Sequence, residues 1–270
     1  VSAPTAELLA ERLSPLLENP RAAAVFCDID GTLAPIVPRP EDAHVRPEIS
    51  LLLGALGRRF GCVACVSGRP VAEARRLVGV GSIAYAGSHG AEMIRAGEKR
   101  PSFTSAFASW ERPVRSFMKA RENERDLKLL RIRIEDKGPI QAFHWRGAPD
   151  EEAARTWLDG VAQEAEAEGL ATHWGRKVLE IRPPVRINKG DAVRTLTEAS
   201  GVRTALFGGD DVTDLDAFDA LDAMVAEGVL DAVVRVGVRS AEGPPAIIER
   251  ASLVVEGVSG MTAVLAALAE

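Results

Sequence analysis

The chain of 270 residues has no uninterrupted apolar run of about 18 residues, no block of basic residues and only three cysteines. The first absence excludes a membrane-spanning helix. The second, together with a net charge of -6, argues against a nucleic-acid partner. It also means that any phosphate bound here must be drawn in locally, by a metal, a lysine or helix N-termini. Scarce cysteine suits a reducing, cytoplasmic compartment. Cys62 and Cys65 form a CxxC, yet three residues apart on a strand places them on opposite faces, and no second ligand pair follows. They read as buried packing. Internal repeats and low-complexity tracts are missing too. The chain opens on Val1 rather than methionine, which points to a trimmed start. Val1–Pro20, interrupted by Glu7, Glu11 and Arg12, reads as an amphipathic helix and not as a signal peptide.

What is present is an α/β rhythm. Strands at Val25–Ile29, Cys62–Val66 and Ile83–Ala86 alternate with helices at Pro47–Arg59 and Pro70–Val78. The rhythm returns late in the chain. Helices at Lys189–Ala199, Thr213–Met224, Pro245–Arg250 and Met261–Leu268 are interleaved with strands at Thr204–Phe207, Ala232–Val236 and Leu253–Val255. The middle differs. A polar helix to about Arg125 precedes two alternating segments, Leu129–Glu135 and Ile140–Trp145, joined by Asp136-Lys137-Gly138-Pro139, a hairpin signal. The helix Asp150–Glu168 and a strand at Lys177–Ile181 complete an α-β-β-α-β unit. The predicted organisation is a parallel α/β core, 1–102 and 184–270, with a small α+β domain inserted at 103–183.

Chemistry concentrates behind the apolar run Ala22–Cys27, where the chain reads Asp28-Ile29-Asp30-Gly31-Thr32. Strand alternation starts Asp28 and Asp30 on the same side, about 6–7 Å apart. Buried like charges ask for a cation, a split in pKa, or both. Three more short motifs fall at the edge where open α/β sheets place ligands. Val66-Ser67-Gly68-Arg69, with Pro70 opening a helix, offers a hydroxyl and backbone amides. Asn188-Lys189-Gly190 puts a lysine at a helix start. Gly208-Gly209-Asp210-Asp211-Val212-Thr213-Asp214 is an acidic loop between strand and helix, where Asp210 or Asp211 would also serve as a cap.

Four such motifs in this order resemble the haloacid-dehalogenase-like (HAD) phosphohydrolase superfamily, and the resemblance covers essentially the whole chain. Within it the sequence is most similar to the trehalose-6-phosphate phosphatases. The residues concerned are Asp28–Pro35, Tyr85–Glu92, Glu135–Gly138, His144–Arg146, Lys177–Pro183, Asn188–Gly190 and Gly209–Asp214. Ser88 departs from the pattern, which has asparagine before His-Gly, and puts one polar contact in doubt. The fold so implied is a Rossmannoid core with an inserted C2-type cap.

The resemblance implies a Mg²⁺-dependent phosphatase of trehalose 6-phosphate, with Asp28 as nucleophile and Asp30 as proton carrier. Asp28, the Asp30 carbonyl and Asp210 would hold Mg²⁺, with Asp211 and Asp214 as further ligands or their supports. Ser67, Lys189 and the amides of Gly31 and Thr32 would neutralise the transferring oxygens. Gly68, Arg69, His89 and Asn188 are candidate substrate contacts. Cap candidates are Glu135, Lys137, His144, Arg146, Lys177 and Glu180. Periodicity places Lys177 and Glu180 on opposite faces of a regular strand, so both reach one ligand only if the strand twists, bulges or ends there. Trp145 alternates with His144 and Arg146 and reads as packing. The implied partners are a small sugar phosphate and, functionally, a trehalose-phosphate synthase. Alternatives are a phosphatase of sucrose, glucosylglycerol or mannosylglycerate phosphates, or a non-catalytic regulatory partner of a sugar synthase.

Overall fold

Five consecutive fully buried residues, Ala23–Cys27, form the strand that everything else is built around. Its residues are small or apolar on both faces, as a central parallel strand requires. The computed structural model describes residues 5–270 except 38, 40, 41, 176, 241 and 242. The chain separates into two units, 1–102 with 187–270, and Phe103–Arg186.

The first unit begins with α1 (Ala6–Leu17), whose N-terminus is capped by the Thr5 hydroxyl accepting from the Leu8 N–H. Of the helix expected at Val1–Pro20, residues 1–4 lie outside the described residues. Then follow β1 (Ala23–Cys27), α2 (Pro47–Arg59), β2 (Cys62–Val66), α3 (Val71–Val78), β3 (Ala84–Gly87), β4 (Glu92–Ile94) and the short edge strand β5 (Ser102–Phe103). The second unit contains α4 (Ser105–Ala108), α5 (Glu111–Arg121), α6 (Arg125–Leu129), β6 (Arg133–Lys137), β7 (Ile140–His144), α7 (Glu151–Ala167), β8 (Ala171–Gly175) and β9 (Val178–Arg182). The chain returns to the first unit through α8 (Lys189–Ser200), β10 (Thr204–Gly209), α9 (Leu215–Ala226), β11 (Ala232–Arg239), α10 (Pro245–Arg250), β12 (Leu253–Glu256) and α11 (Gly257–Ala269).

The first unit's sheet has the order β12-β11-β10-β1-β2-β3-β4-β5, parallel from β12 to β3, with β4 antiparallel to β3. Alternation along β1 separates two cores. Ala23, Val25 and Cys27 pack with Leu13, Leu53 and Leu265 under α1, α2 and α11. Ala24 and Phe26 pack with Val193, Phe207 and Phe218 under α8 and α9. The helix-covered parallel sheet is the expected HAD-like α/β class.

Boundaries moved where the apolar pattern outran the ladder. β1 ends at Cys27, not Ile29, because the next carbonyl groups leave the sheet. Leu33 and Ala34 N–H both donate to the Ile29 carbonyl at 2.8 Å, closing a tight turn. The strand β4 after β3 was not expected. α11 starts at Gly257 rather than Met261.

In the second unit the order is β6-β7-β9-β8, all antiparallel. Phe143, Leu179 and Ile181 pack with Val114, Leu158 and Ala162 from α5 and α7 on one face. The hairpin expected around Gly138 is present, with the first strand shifted to Arg133–Lys137. Two corrections apply here. The single helix expected to Arg125 is two, α4 and α5, with α6 beginning at Arg125, and a fourth strand, β8, lies where none is expected. Its half-exposed sequence Ala-Thr-His-Trp-Gly has no apolar run, and pairing with β9 is what makes it a strand. Trp145 is buried and meets Trp174 edge-on at 5.7 Å, the packing role expected of it.

Candidate active site

The site grows from the end of β1. Asp28 still belongs to the ladder, its N–H donating to the Gly208 carbonyl at 2.9 Å, and alternation carries its side chain to the α8 face. The chain then reverses at Gly31, whose φ of +83° is the left-handed region that glycine alone adopts without strain. The Gly31 N–H donates to the Ala34 carbonyl, and the Thr32 N–H to that of Ile29. These two amides therefore take part in closing the turn. The Thr32 hydroxyl instead donates to Asp210 Oδ1 at 3.1 Å.

Lys189 is the first residue of α8 and is buried. Its Nζ lies 2.9 Å from Asp28 Oδ1 and 2.7 Å from Asp214 Oδ1. Asn188 just ahead of it caps the helix. Its side chain accepts from the Asp191 N–H, and the Asp191 carboxylate accepts from the Asn188 N–H. Gly190 lets the start of α8 approach α9, since a Cβ there would stand 2.4 Å from the Asp216 carbonyl. Past β10, Asp214 Oδ2 accepts the N–H groups of Asp210 and Asp211 at 2.9 and 3.0 Å, while Asp211 caps the turn that follows through Val212.

Asp28, Asp210 and Asp214 are all buried, each offering an oxygen within 4.8 Å of the others. Three carboxylates face one ammonium. Burial, outweighing Lys189, pushes Asp28 up to about 8, and burial with Asp214 beside it pushes Asp210 up to about 7. Burial also works against the charge on Lys189, but Asp28 and Asp214 outweigh it and hold the ammonium proton firmly. The cluster is short of positive charge. All-oxygen donors with net negative charge fit a hard divalent cation such as Mg²⁺.

Beside this cluster, Ser67 is buried at the end of β2, its Oγ accepting from the Arg69 N–H at 3.2 Å and its carbonyl from the His89 N–H at 3.0 Å. His89 sits in a left-handed run, Ser88, His89 and Gly90 having φ of +50°, +58° and +109°. The ring lies over Gly68, where a Cβ would be 2.8 Å from its Cε1. Ser88 makes a polar contact of its own: its hydroxyl donates to Glu92 Oε1, which also accepts the Val71 N–H at the start of α3. Asp30, half-exposed, accepts two hydrogen bonds from Arg69. A cavity of about 380 Å³ opens over the edge of this sheet, lined by Asp28, Asp30, Gly68, His89, Lys189 and Asp210 among others. Asp211 lines it also. Thr213, inside the acidic-loop motif but given no role there, also lines the wall, with Ile36 and Ser240, which no motif marks.

In the second unit, register places Glu135, Lys137, His144 and Glu180 on one face of the sheet, the face opposite its hydrophobic core. Lys137 Nζ lies 3.3 Å from Glu180 and 3.4 Å from Glu135, and His144 Nε2 is 2.8 Å from Glu135. Burial resists the charge of Glu180, but Arg182 and Lys137 more than compensate and lower its pKa. Arg182 and His173 share this face and were missed. For Arg182 a Glu-x-Arg spacing on one strand was available as a signal; His173 lies on the unread β8. Lys177 belongs to neither face of β9. It precedes the strand in a left-handed turn, φ +65°, and pairs with Glu151 at the start of α7. Arg146 is exposed in the turn after β7.

Residues 26–243 match the family model described as trehalose-phosphatase. The chain is 32% identical, over all of its length and 96% of the relative's, to a probable trehalose-phosphate phosphatase of Sinorhizobium fredii. It is 34% identical over 77% of its length to a trehalose-phosphate phosphatase of Mycobacterium avium, and spans about half (54%) of that relative. It spans only 15% of a longer uncharacterized glycosyl hydrolase of Mycobacterium tuberculosis with 33% identity. Among solved structures, a trehalose-6-phosphate phosphatase related protein superimposes with a TM-score of 0.57 at 27% identity, covering 90% of this chain and 95% of that one.

Proposed function

The chain belongs to the trehalose-phosphatase family, and from that premise we propose that it is a phosphoric monoester hydrolase that converts trehalose 6-phosphate and water to trehalose and phosphate with the help of Mg²⁺. The observation that carries the reading is the buried trio Asp28, Asp210 and Asp214 around Lys189, with Asp30 beside it in the same cavity.

In the first step an Asp28 oxygen forms a bond to phosphorus while the bond from phosphorus to the sugar oxygen breaks. That oxygen keeps the electron pair and takes the proton of the Asp30 carboxyl, because an alkoxide is a poor leaving group. In the second step water bonds to phosphorus, its proton passes to the Asp30 carboxylate, and the Asp28–phosphorus bond opens. Atoms balance and Asp28 is restored. Lys189 and the Ser67 hydroxyl are assigned the positive charge and the donor that the transferring oxygens need. The bound cation would be held by Asp28, Asp210 and Asp214, with the Asp30 carbonyl and Asp211 as further candidates, and would supply charge neutralisation at the phosphoryl group.

Recognition of the sugar is assigned to the charged open face of the second unit, acting as a cap. Glu135, Lys137, His144 and Glu180 lead, with Arg146 and Lys177 at one end of the sheet. His89 and Gly68 are assigned to the wall of the phosphate cavity. The implied functional partner is a trehalose-phosphate synthase in the same cytoplasmic compartment, a setting in keeping with three free cysteines. Among the described residues no helix is long and apolar enough to cross a membrane.

The test is phosphate release across a panel of sugar phosphates, with Mg²⁺ and with chelator. Preferential turnover of trehalose 6-phosphate that chelator abolishes supports the reading. A different preferred sugar phosphate replaces the substrate, and no turnover of any sugar phosphate removes the enzyme.

A further inference from the structure

The expected role of Arg69 was contact with substrate, and the geometry points elsewhere. Arg69 Nε donates to Asp30 Oδ2 and Nη2 to Asp30 Oδ1, both at 2.7 Å. This is the parallel fork by which a guanidinium fixes both the place and the plane of a carboxylate. Asp30 needs such a hold. It lies beyond the end of β1, in the turn closed on the Ile29 carbonyl, where an isolated bridge to Ala34 takes the place of the sheet ladder.

Arg69 itself is anchored. Its N–H donates to Ser67 Oγ and its carbonyl accepts from the Ser88 N–H at 2.8 Å, which ties it to the ends of β2 and β3. Its side chain is 16% exposed against 37% for Asp30, so the guanidinium is the better-buried member of the pair. The two residues also face different spaces. Asp30 lines the cavity that contains Asp28 and Lys189, whereas Arg69 lines a separate one with His44, Glu73 and Arg76.

We propose that Arg69 is a positioning residue for the proton carrier: it holds the Asp30 carboxyl group toward the leaving oxygen and works through Asp30 rather than through contact with substrate. The inference rests on the proposed hydrolase reading but not on which sugar is the leaving group. The fork uses one lone pair on each Asp30 oxygen and leaves the other for the proton that passes to the sugar oxygen. Loss of the fork frees the carboxyl group to rotate away from that line, and a small displacement of a reacting group is expensive in rate.

The test compares kcat/KM for trehalose 6-phosphate and for p-nitrophenyl phosphate in the wild type, Arg69→Ala, Arg69→Lys, Asp30→Asn and the Arg69→Ala/Asp30→Asn double variant. The ratio kcat/KM stops at departure of the leaving group, so it isolates the step in which the sugar oxygen needs a proton and nitrophenolate does not. Arg69→Ala is expected to lower kcat/KM on the sugar phosphate by about 10²-fold and on the aryl phosphate by less than about tenfold. Arg69→Lys keeps the charge without the fork and falls between, with the same selectivity. In the Asp30→Asn background Arg69→Ala is expected to cost no more than about twofold further, because the two residues act as one unit.

Equal loss on both substrates overturns the proposal, as does a loss on the sugar phosphate that persists in the Asp30→Asn background, which is the signature of direct substrate contact. Aryl phosphate turnover reports a folded variant; if Arg69→Ala does not fold, the same cycle is run with Arg69→Lys. A wild type that hydrolyses another sugar phosphate overturns the trehalose 6-phosphate reading alone, and the cycle then runs on that sugar. A wild type inactive on every phosphate ester overturns both.

Discussion

A Cβ on Gly31 would lie 1.9 Å from Oδ2 of Asp210, although the two residues are 179 positions apart. The glycine after Asp30 is therefore set by two demands, a φ of +83° and the space that Asp210 occupies. Thr32, the next residue, donates its hydroxyl to the same carboxylate. The first acidic motif thus builds the support for the last one.

Gly31→Ala is expected to displace Asp210 and strain the turn, lowering stability by about 1–3 kcal/mol and weakening Mg²⁺ more than folding. Thermal melting with and without Mg²⁺ measures both. A variant that keeps the full Mg²⁺-dependent rise in Tm would show that Asp210 is not displaced from a cation site.

Stability without divalent cation is expected to fall as pH rises. Asp28 and Asp210 have folded-state pKa values near 8 and 7, raised by burial from an ordinary 3.8. Between the ordinary and raised values the folded protein binds more protons than the unfolded chain, so the folded state loses ground with increasing pH. Bound Mg²⁺ displaces those protons, and its stabilisation should grow from about pH 5 to about pH 8. Melting across that range with and without Mg²⁺ is the measurement, and a cation effect independent of pH would sink the assignment.

Asp28→Asn is expected to abolish turnover and leave the fold intact, because asparagine matches the volume of the aspartate and Lys189 keeps Asp214 as its partner. It should also flatten the cation-free pH dependence just described. Circular dichroism and phosphate release together check this, and retained activity would overturn the nucleophile.

Asp30→Asn should slow trehalose 6-phosphate hydrolysis by about 10²–10⁴-fold while Mg²⁺ affinity is largely kept. Calorimetric titration of Mg²⁺ separates the two roles. A collapse of affinity would make the Asp30 side chain a ligand.

Glu180→Ala should raise KM for the disaccharide phosphate and leave an aryl phosphate nearly untouched. The carboxylate stands on the open face between Lys137 and Arg182, so its loss takes one partner from each cation, and Lys137 keeps Glu135. Equal loss on both substrates would remove Glu180 from sugar recognition.

Much of the architecture was legible because burial repeats in sequence. Cys62–Val66, Pro47–Arg59 and Pro245–Arg250 have the expected boundaries, each marked by an apolar period or a proline at a helix start. β8 was not legible, since an edge strand with polar alternation has only its neighbour to define it. Lys177 and Glu180 illustrate the same limit. Periodicity set them on opposite faces, and the strand proved to begin after Lys177, in a backbone conformation that no apolar pattern encodes.

Sequence by itself determined where the polar side chains gather: Asp28, Asp30, Ser67, Asp210 and Asp214 follow strand ends and Lys189 opens a helix, and strand ends of a parallel sheet share one edge. Tertiary structure alone decided the partnerships. Lys189 chose Asp28 and Asp214, Arg69 chose Asp30, and the amides of Gly31 and Thr32 joined the turn behind them. The reason is physical. Periodicity reports which way a side chain leaves the backbone, whereas hydrogen bonds and ion pairs are fixed by distances of about 3 Å between atoms far apart in the chain.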